Sequence, residues 1–296
     1  MSQSPLVAGV ELGGTKCICI LATGPDDIRD EVRIPTTRPD ETLDAIAATL
    51  EKWRVFEAIG IASFGPVSLN QDAGDYGHIT ATTKPGWTNT DVLGRIGTPF
   101  KVPVGFNSDV NGAAVGEGRW GAAAGLADHA YITVGTGIGV GLVLGGKPVA
   151  GLTHPELGHI RPVRTRGDDW AGCCPFHGDC VEGLASGTAI KARTVTAAQD
   201  LEHDDPAWGL VADTLAQLLH TLVMTGIPRR IVMGGGVMVG SPFLFDPIRE
   251  RLVKSIANYG SLPGIHDMAD YVVPAKLGGN AGPLGAIVLG ETALHT

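Results

Sequence analysis

Apolar residues fall in short blocks separated by glycine, and these blocks alternate with longer stretches of helical spacing. Leu6 to Val10 reads as a buried strand, Glu11-Leu12-Gly13-Gly14-Thr15-Lys16 as a turn and Cys17 to Ala22 as a second strand, so the chain opens with a β-hairpin turned on glycine. About 124 positions further on the pattern returns, as strand Ala130 to Val134, turn Gly135-Thr136-Gly137-Ile138-Gly139 and strand Val140 to Leu144. This recurrence predicts the duplication of one α/β unit. Between the hairpins, Asp40 to Trp53 has helical spacing, Ala58 to Ala62 reads as a strand, and Ser63-Phe64-Gly65-Pro66 is a turn. A loop from Gly77 to Asn89 precedes a strand, Val102 to Asn107, which runs into a helix beginning near Asp109. Asp205 to Met224 is a helix with Pro206 in its first turn, and Arg230 to Met233 is a short strand entering Gly234-Gly235-Gly236. A last glycine turn, Gly278 to Gly282, leads into a C-terminal helix. No Ser/Pro-rich linker separates the halves.

Composition narrows the class of partner. The chain has 296 residues, 44% of them hydrophobic, enough for the cores of one large or two ordinary α/β domains. A formal net charge of -9, from 22 basic against 31 acidic residues, disfavours a nucleic-acid backbone or an anionic membrane and points to a small partner. Five cysteines do not make an even disulfide framework, which fits a reducing compartment and therefore the cytoplasm. Met1 to Pro5 has no positive region, and the apolar stretch that follows is broken at Glu11, so neither signal peptide nor anchor is expected. The uncharged run Ala130 to Gly146 is too short and glycine-rich to span a membrane, and two buried strands explain it.

The chemistry concentrates between His154 and Glu182. Cys174-x2-His177-x2-Cys180 supplies three zinc ligands, and His159 can supply the fourth of a closed tetrahedral site. Four protein ligands mean a structural Zn2+, one that pins a loop with no core of its own and with it Glu156 and Glu182. Cys173 is the spare thiol. The plainer alternative is a set of buried thiols in a solvated polar loop. Glycine turns also expose backbone N-H groups. With Thr15, Lys16 and Thr136 they suit phosphates, and two facing turns, Gly13-Gly14 and Gly135 to Gly139, suit a triphosphate. A single such turn is more often hairpin geometry alone, and the spacing matches neither a Walker A loop nor a dinucleotide fingerprint. Asp109, read by itself, is a helix N-cap.

Gly9-Val10-Glu11-Leu12-Gly13-Gly14-Thr15-Lys16, Asn107-Ser108-Asp109-Val110-Asn111, Glu156-Leu157-Gly158-His159 and the Cys174/His177/Cys180 cluster with Glu182 follow in the order of ROK-family sugar kinases. The chain resembles that family along nearly its whole length. Lys84-Pro85-Gly86-Trp87, Cys-Pro-Phe-His-Gly-Asp-Cys and Glu11 in place of Asp make it similar to the bacterial fructokinase branch. The resemblance implies a duplicated actin/hexokinase-like (ribonuclease H-like) α/β fold of two domains with a cleft between them. The domains expected are 1-112, with helix 283-296 packing back on it, and 113-282, which carries the zinc loop. It further implies ATP- and Mg2+-dependent phosphorylation of a hexose, fructose ahead of mannose, glucose or an N-acetylhexosamine, by a homodimer. Asp109 is then the general base. Glu156, His159, Glu182, Gly65 and Ser108 bind the sugar, and His159 uses its second ring nitrogen to do so. Glu11, Gly13, Gly14, Thr15, Lys16, Thr136, Gly137, Gly234 and Gly235 line the nucleotide and Mg2+ region. Trp87 and Trp170 are read either as packing or as contacts to sugar or subunit. A sugar-binding regulator without phosphoryl transfer, and a stand-alone zinc module, are the readings from other classes; Asp109 argues against the first and the long α/β pattern against the second.

Overall fold

The structure, a computed structural model, describes residues 4-261 and 267-295. Met1 to Gln3, part of the stretch read as lacking a leader, and Thr296, the end of the expected last helix, lie outside the described residues. The elements run β1 (Val7–Leu12), β2 (Lys16–Gly24), β3 (Asp27–Pro35), α1 (Pro39–Trp53), β4 (Ala58–Ser63), β5 (His78–Ile79), β6 (Thr90–Asp91), α2 (Val92–Ile96), β7 (Val104–Ser108) and α3 (Asp109–Trp120). There follow β8 (His129–Val134), β9 (Ile138–Leu144), β10 (Lys147–Pro148), α4 (Val181–Ala185), α5 (Gly187–Thr194), α6 (Ala207–Gly226), β11 (Ile231–Gly234), α7 (Gly236–Gly240), α8 (Phe245–Ile256), α9 (Met268–Tyr271), β12 (Val272–Pro274) and α10 (Ala281–Ala293).

Two five-stranded sheets have the same order, β3-β2-β1-β4-β7 and β10-β9-β8-β11-β12. In each, an antiparallel glycine-turned hairpin is extended on one side by parallel strands: β1 pairs with β2 and β4, β8 with β9 and β11. That shared order is the duplication announced by the repeated hairpin. The chain forms two compact units, one of residues 4-124, 148-154 and 279-295, the other of the described residues within 125-147 and 155-278. The boundary expected at 112/113 falls inside α3, a continuous helix that packs on α10, so the first unit runs on to 124.

Local sequence accounts for the elements around the site. Pro39 occupies the first turn of α1, where its missing N-H costs nothing, and Leu43, Ile46, Leu50 and Trp53 form the face buried on the first sheet. In the second unit α6 is apolar enough by length and composition to cross a membrane, but 61% of its window is buried, as in a core helix.

The first sheet depends on backbone approaching backbone. α10 lies against β1, β4, β7 and α3. A Cβ on Gly60 of β4 would overlap the carbonyl oxygen of Ala286, one on Gly105 of β7 that of Leu289, and one on Gly285 of α10 that of Gly112 in α3. Glycine inside a helix costs about 1 kcal/mol against alanine; here its absence of a side chain is what lets the helix seat. Gly60→Ala is therefore expected to destabilise the protein by about 3 kcal/mol, as a backbone clash does. Gly74→Ala, at a glycine whose added Cβ would meet nothing within 4 Å, is expected to be near neutral. Urea unfolding of both variants checks the contrast.

Candidate active site

In the first unit the parallel strands end level with one another: Leu12 stands opposite Ser63, and Ser63 opposite Ser108. The carboxyl edge of such a sheet is where α/β folds place chemistry. Ser108 is 2% exposed, and its hydroxyl accepts the Asn111 N-H at 3.3 Å, which makes it the N-cap of α3. Asp109, which read by itself is a cap, is instead the first helical residue, and Ser108 takes the cap. There Asp109 Oδ1 accepts the Val110 N-H at 2.8 Å, in the field of a helix N-terminus that favours a carboxylate. Asn107 Oδ1 accepts from Ser108 N-H at 2.9 Å and from Asn111 Nδ2 at 2.8 Å, which stiffens the strand-to-helix corner.

Glu11, near the end of β1, shares this neighbourhood. Burial first, and then the negative charge of Asp109, push its carboxyl up to about 7 against the opposing charge of Lys16. The side chain lies against Gly282 of α10, where a Cβ would overlap it. Gly14, Thr15 and Lys16 of the first turn are exposed. Gly65 follows β4 in a corner held by residues 153 and 154: Val67 N-H donates to His154 Nε2 at 3.2 Å and Thr153 hydroxyl donates to Val67 O at 2.8 Å. Trp87 is fully buried, its indole N-H on Thr37 O at 2.9 Å, so it is packing.

In the second unit His159, Cys174, His177 and Cys180 present their ligand atoms within 4.8 Å of one another. Sγ of Cys174 lies 3.7 Å from Nδ1 of both His159 and His177, and Sγ of Cys180 lies 3.5 Å from Nδ1 of His159. A tetrahedral zinc with bonds of about 2.3 Å to sulfur and about 2.05 Å to nitrogen has S···N edges of about 3.5 Å, so the donor set fits that ion. Local geometry builds the knuckle: Cys174 and Gly178 exchange backbone hydrogen bonds at 3.1 and 2.9 Å, and Gly178 takes φ 60° to close the turn around His177. Cys180 caps α4, its sulfur accepting Gly183 N-H at 3.4 Å, which sets Glu182 two residues on.

Both nitrogens of His159 are placed. Nδ1 faces the sulfurs, and Nε2 lies 3.9 Å from Glu182 Oε1, while Glu182 Oε2 accepts Ile138 N-H at 3.0 Å. Gly137 stands over this carboxylate: a Cβ there would come within 2.6 Å of Glu182 Oε2. Gly158 fits His159 against the start of β9, since a Cβ there would overlap Ile138 O. The Glu156 carboxyl is raised by burial and by Glu182, against the influence of His159.

A cavity of about 480 Å3 opens beside Gly135 and Thr136, walled by Gly187, Thr188 and Lys191 of α5, by Gln199, and by Gly236 and Ser241. Thr136 lines this cavity, whereas Gly137 belongs with Glu182, and Gly234 and Gly235 shape the end of β11 without appearing in the wall. Sequence reading missed Thr188, Lys191, Gln199 and Ser241. A signal for the first two was there: Ser186 is an N-cap accepting Ala189 N-H at 3.1 Å, ahead of a short helix.

A protonated Glu11 is favoured by the fold, since its carboxyl sits at about 7 in the folded protein against 4.5 ordinarily. The native state then binds more protons than the unfolded one in that window, so its contribution to stability is full below pH 4.5 and declines as pH rises through 7. Glu11→Gln is expected to remove that decline, so that its stability relative to the parent improves from pH 5 to pH 8, as read by urea unfolding without nucleotide.

Residues 7–293 match the model of the ROK family. The fructokinase of Pediococcus pentosaceus is 40% identical over 289 residues, covering 98% of this chain and 99% of that one. The fructokinase of Zymomonas mobilis is 41% identical over 292 residues, 96% of each. Among solved structures, a ROK hexokinase from Thermus thermophilus superposes with a TM-score of 0.77 at 26% identity, covering 98% of this chain and 99% of its own. A ROK glucokinase from Streptomyces griseus in complex with glucose and AMPPNP does so with 0.73 at 26% identity, over 97% and 99%. The two like-ordered sheets thus form the α/β fold of the ROK hexokinases, and the chain belongs to the ROK family.

Proposed function

We propose that the protein transfers the terminal phosphoryl group of ATP to a hexose, D-fructose at its 6-hydroxyl, with Asp109 as general base. The observation that carries this is Asp109 at the first position of α3, on the carboxyl edge of the sheet and within the electrostatic reach of Glu11. A base in phosphoryl transfer need not be strong, because the attacking hydroxyl becomes acidic only as its bond to phosphorus forms. The Val110 N-H holds one carboxylate oxygen of Asp109 and fixes its direction. Asp109 then takes the proton of the primary hydroxyl as that oxygen attacks the γ-phosphorus in line, the bond to the bridging oxygen breaks, and ADP leaves. Fructose is put first because of the full-length fructokinase relatives.

Glu156, Glu182 and the Nε2 side of His159 supply the acceptors and the donor or acceptor that read sugar hydroxyls. The cavity beside Thr136 suits the nucleotide, with Lys191 its cationic wall and Thr188, Gln199 and Ser241 its neutral polar groups. A zinc held by His159, Cys174, His177 and Cys180 would be structural, its four protein ligands leaving no open position. Magnesium bound with ATP would neutralise phosphate charge, and Glu11 is the carboxylate of the first unit suited to hold it directly or through water.

Asp109→Asn is expected to lower kcat by about 10²- to 10⁴-fold with KM for sugar little changed, read as hexose-dependent ADP production. Activity of the variant above a few per cent of the parent sinks the general-base assignment. A panel of fructose, mannose, glucose and N-acetylhexosamines tests the substrate; faster turnover of another sugar keeps the mechanism and discards fructose. Metal analysis of protein purified without chelator is expected to find about one zinc per chain, and Cys180→Ser to lose it and raise KM for sugar more than for ATP.

A further inference from the structure

The first glycine turn has an arrangement of partners that its sequence does not announce. The Thr36 hydroxyl donates to Gly13 O at 2.7 Å, Lys84 Nζ to Gly14 O at 2.6 Å, and Thr36 N-H to Thr15 O at 3.0 Å. Each of the three turn carbonyls is thereby occupied by a donor from elsewhere in the chain. Gly13 N-H is used within the hairpin, on Lys16 O at 3.1 Å. Gly14 N-H and Thr15 N-H make no hydrogen bond among the described residues, and Thr15 and Lys16 are exposed. The turn therefore presents donors outward and hides its acceptors, which is what an anion requires of backbone that approaches it closely.

Lys84 differs from the other donors in carrying charge. It is half-buried, seventy positions from Gly14, and reaches the turn from a loop that is itself anchored. Trp87 of that loop is fully buried, edge-on to Phe64 at 5.1 Å, with its indole N-H on Thr37 O and its backbone N-H on Lys84 O at 3.2 Å. An ammonium has three donors, and Gly14 O takes one of them. Were Lys84 removed, the Gly14 carbonyl would offer its partial negative charge at the place where a phosphate must come.

Taking the turn to be phosphate-binding, as in the proposed reaction, we infer that Lys84 is a further residue of that reaction: it masks the Gly14 carbonyl and gives its remaining ammonium protons to the terminal phosphates of the nucleotide. Lys84 thus discriminates by phosphate chain length, sensing the β- and γ-phosphates and not the nucleoside.

The test compares Lys84→Met and Lys84→Arg with the parent protein, each checked for an unchanged melting temperature. Affinities for AMP and for an ATP analogue with a nitrogen β,γ-bridge are measured by calorimetry, and kcat and KM by ADP production. Lys84→Met is expected to bind the analogue about 10- to 100-fold more weakly and AMP within about two-fold, with kcat/KM for ATP falling in step and KM for sugar unchanged. Lys84→Arg is expected to recover most of the loss, because it restores charge at the carbonyl. Analogue affinity of Lys84→Met equal to that of the parent overturns the inference. So does an equal loss for AMP and analogue, which would mean a general disturbance of the fold. If the parent makes no ADP with any hexose, the kinase reading fails, while the analogue-against-AMP comparison still decides the role of Lys84.

Discussion

Two carboxylates at one edge of a sheet, near enough to repel each other, cannot both hold full charge in a half-buried place unless positive charge and hydrogen-bond donors surround them. Glu11 and Asp109 stand in that relation, brought there because β1 and β7 both run parallel to β4 and stop at the same level. The surroundings answer the constraint. Asp109 lies on the first turn of α3, Lys16 follows the glycine turn, and the Glu11 carboxyl is pushed up to about 7. A cation arriving with a phosphate chain would shift that balance toward two ionised carboxylates.

The second unit faces a different difficulty, a long irregular segment from 155 to 180 that carries polar groups but little core. It is tied in two places. Near its start the imidazole of His159 turns one nitrogen to the sulfurs and the other toward Glu182. At its middle, Asp168 holds Arg193 of α5 through a paired contact at 2.8 and 3.0 Å and also meets Arg164; these bonds pull its carboxyl down to about 2 despite burial. Trp170 lies under the Arg193 guanidinium, 4.4 Å from its centre. The loop is therefore ordered by side-chain chemistry where secondary structure is lacking.

What could be read in advance follows from which forces act locally. The repeated glycine hairpins, α1, α6 and the Cys-His knuckle rest on periodicity and spacing, and the structure has each of them within a few residues. β3 escaped notice because Asp27, Arg29, Asp30, Glu31 and Arg33 hide a strand that exists through its pairing with β2. α4, α5 and α7 span at most eight residues, too short for a helical pattern to emerge. The cap at Ser108 was missed because Asp109 is as good a capping residue by type, and only backbone geometry tells them apart. Gln199 and Ser241 were out of reach, since nothing in their neighbours along the chain announces the cavity they share with Thr136.

The close seating of α10 bears on how the chain is made. The first sheet begins at Val7, yet the helix that covers β1, β4 and β7 starts at Ala281. During synthesis the first hairpin emerges early and must wait, with one face uncovered, until almost the whole chain has been translated. The unit built from 125-147 and 155-278 can complete itself before then. The order of maturation is thus reversed relative to the order of emergence, and the glycines that let α10 seat without a side chain in the way spare the last step from having to reopen a core that is already packed.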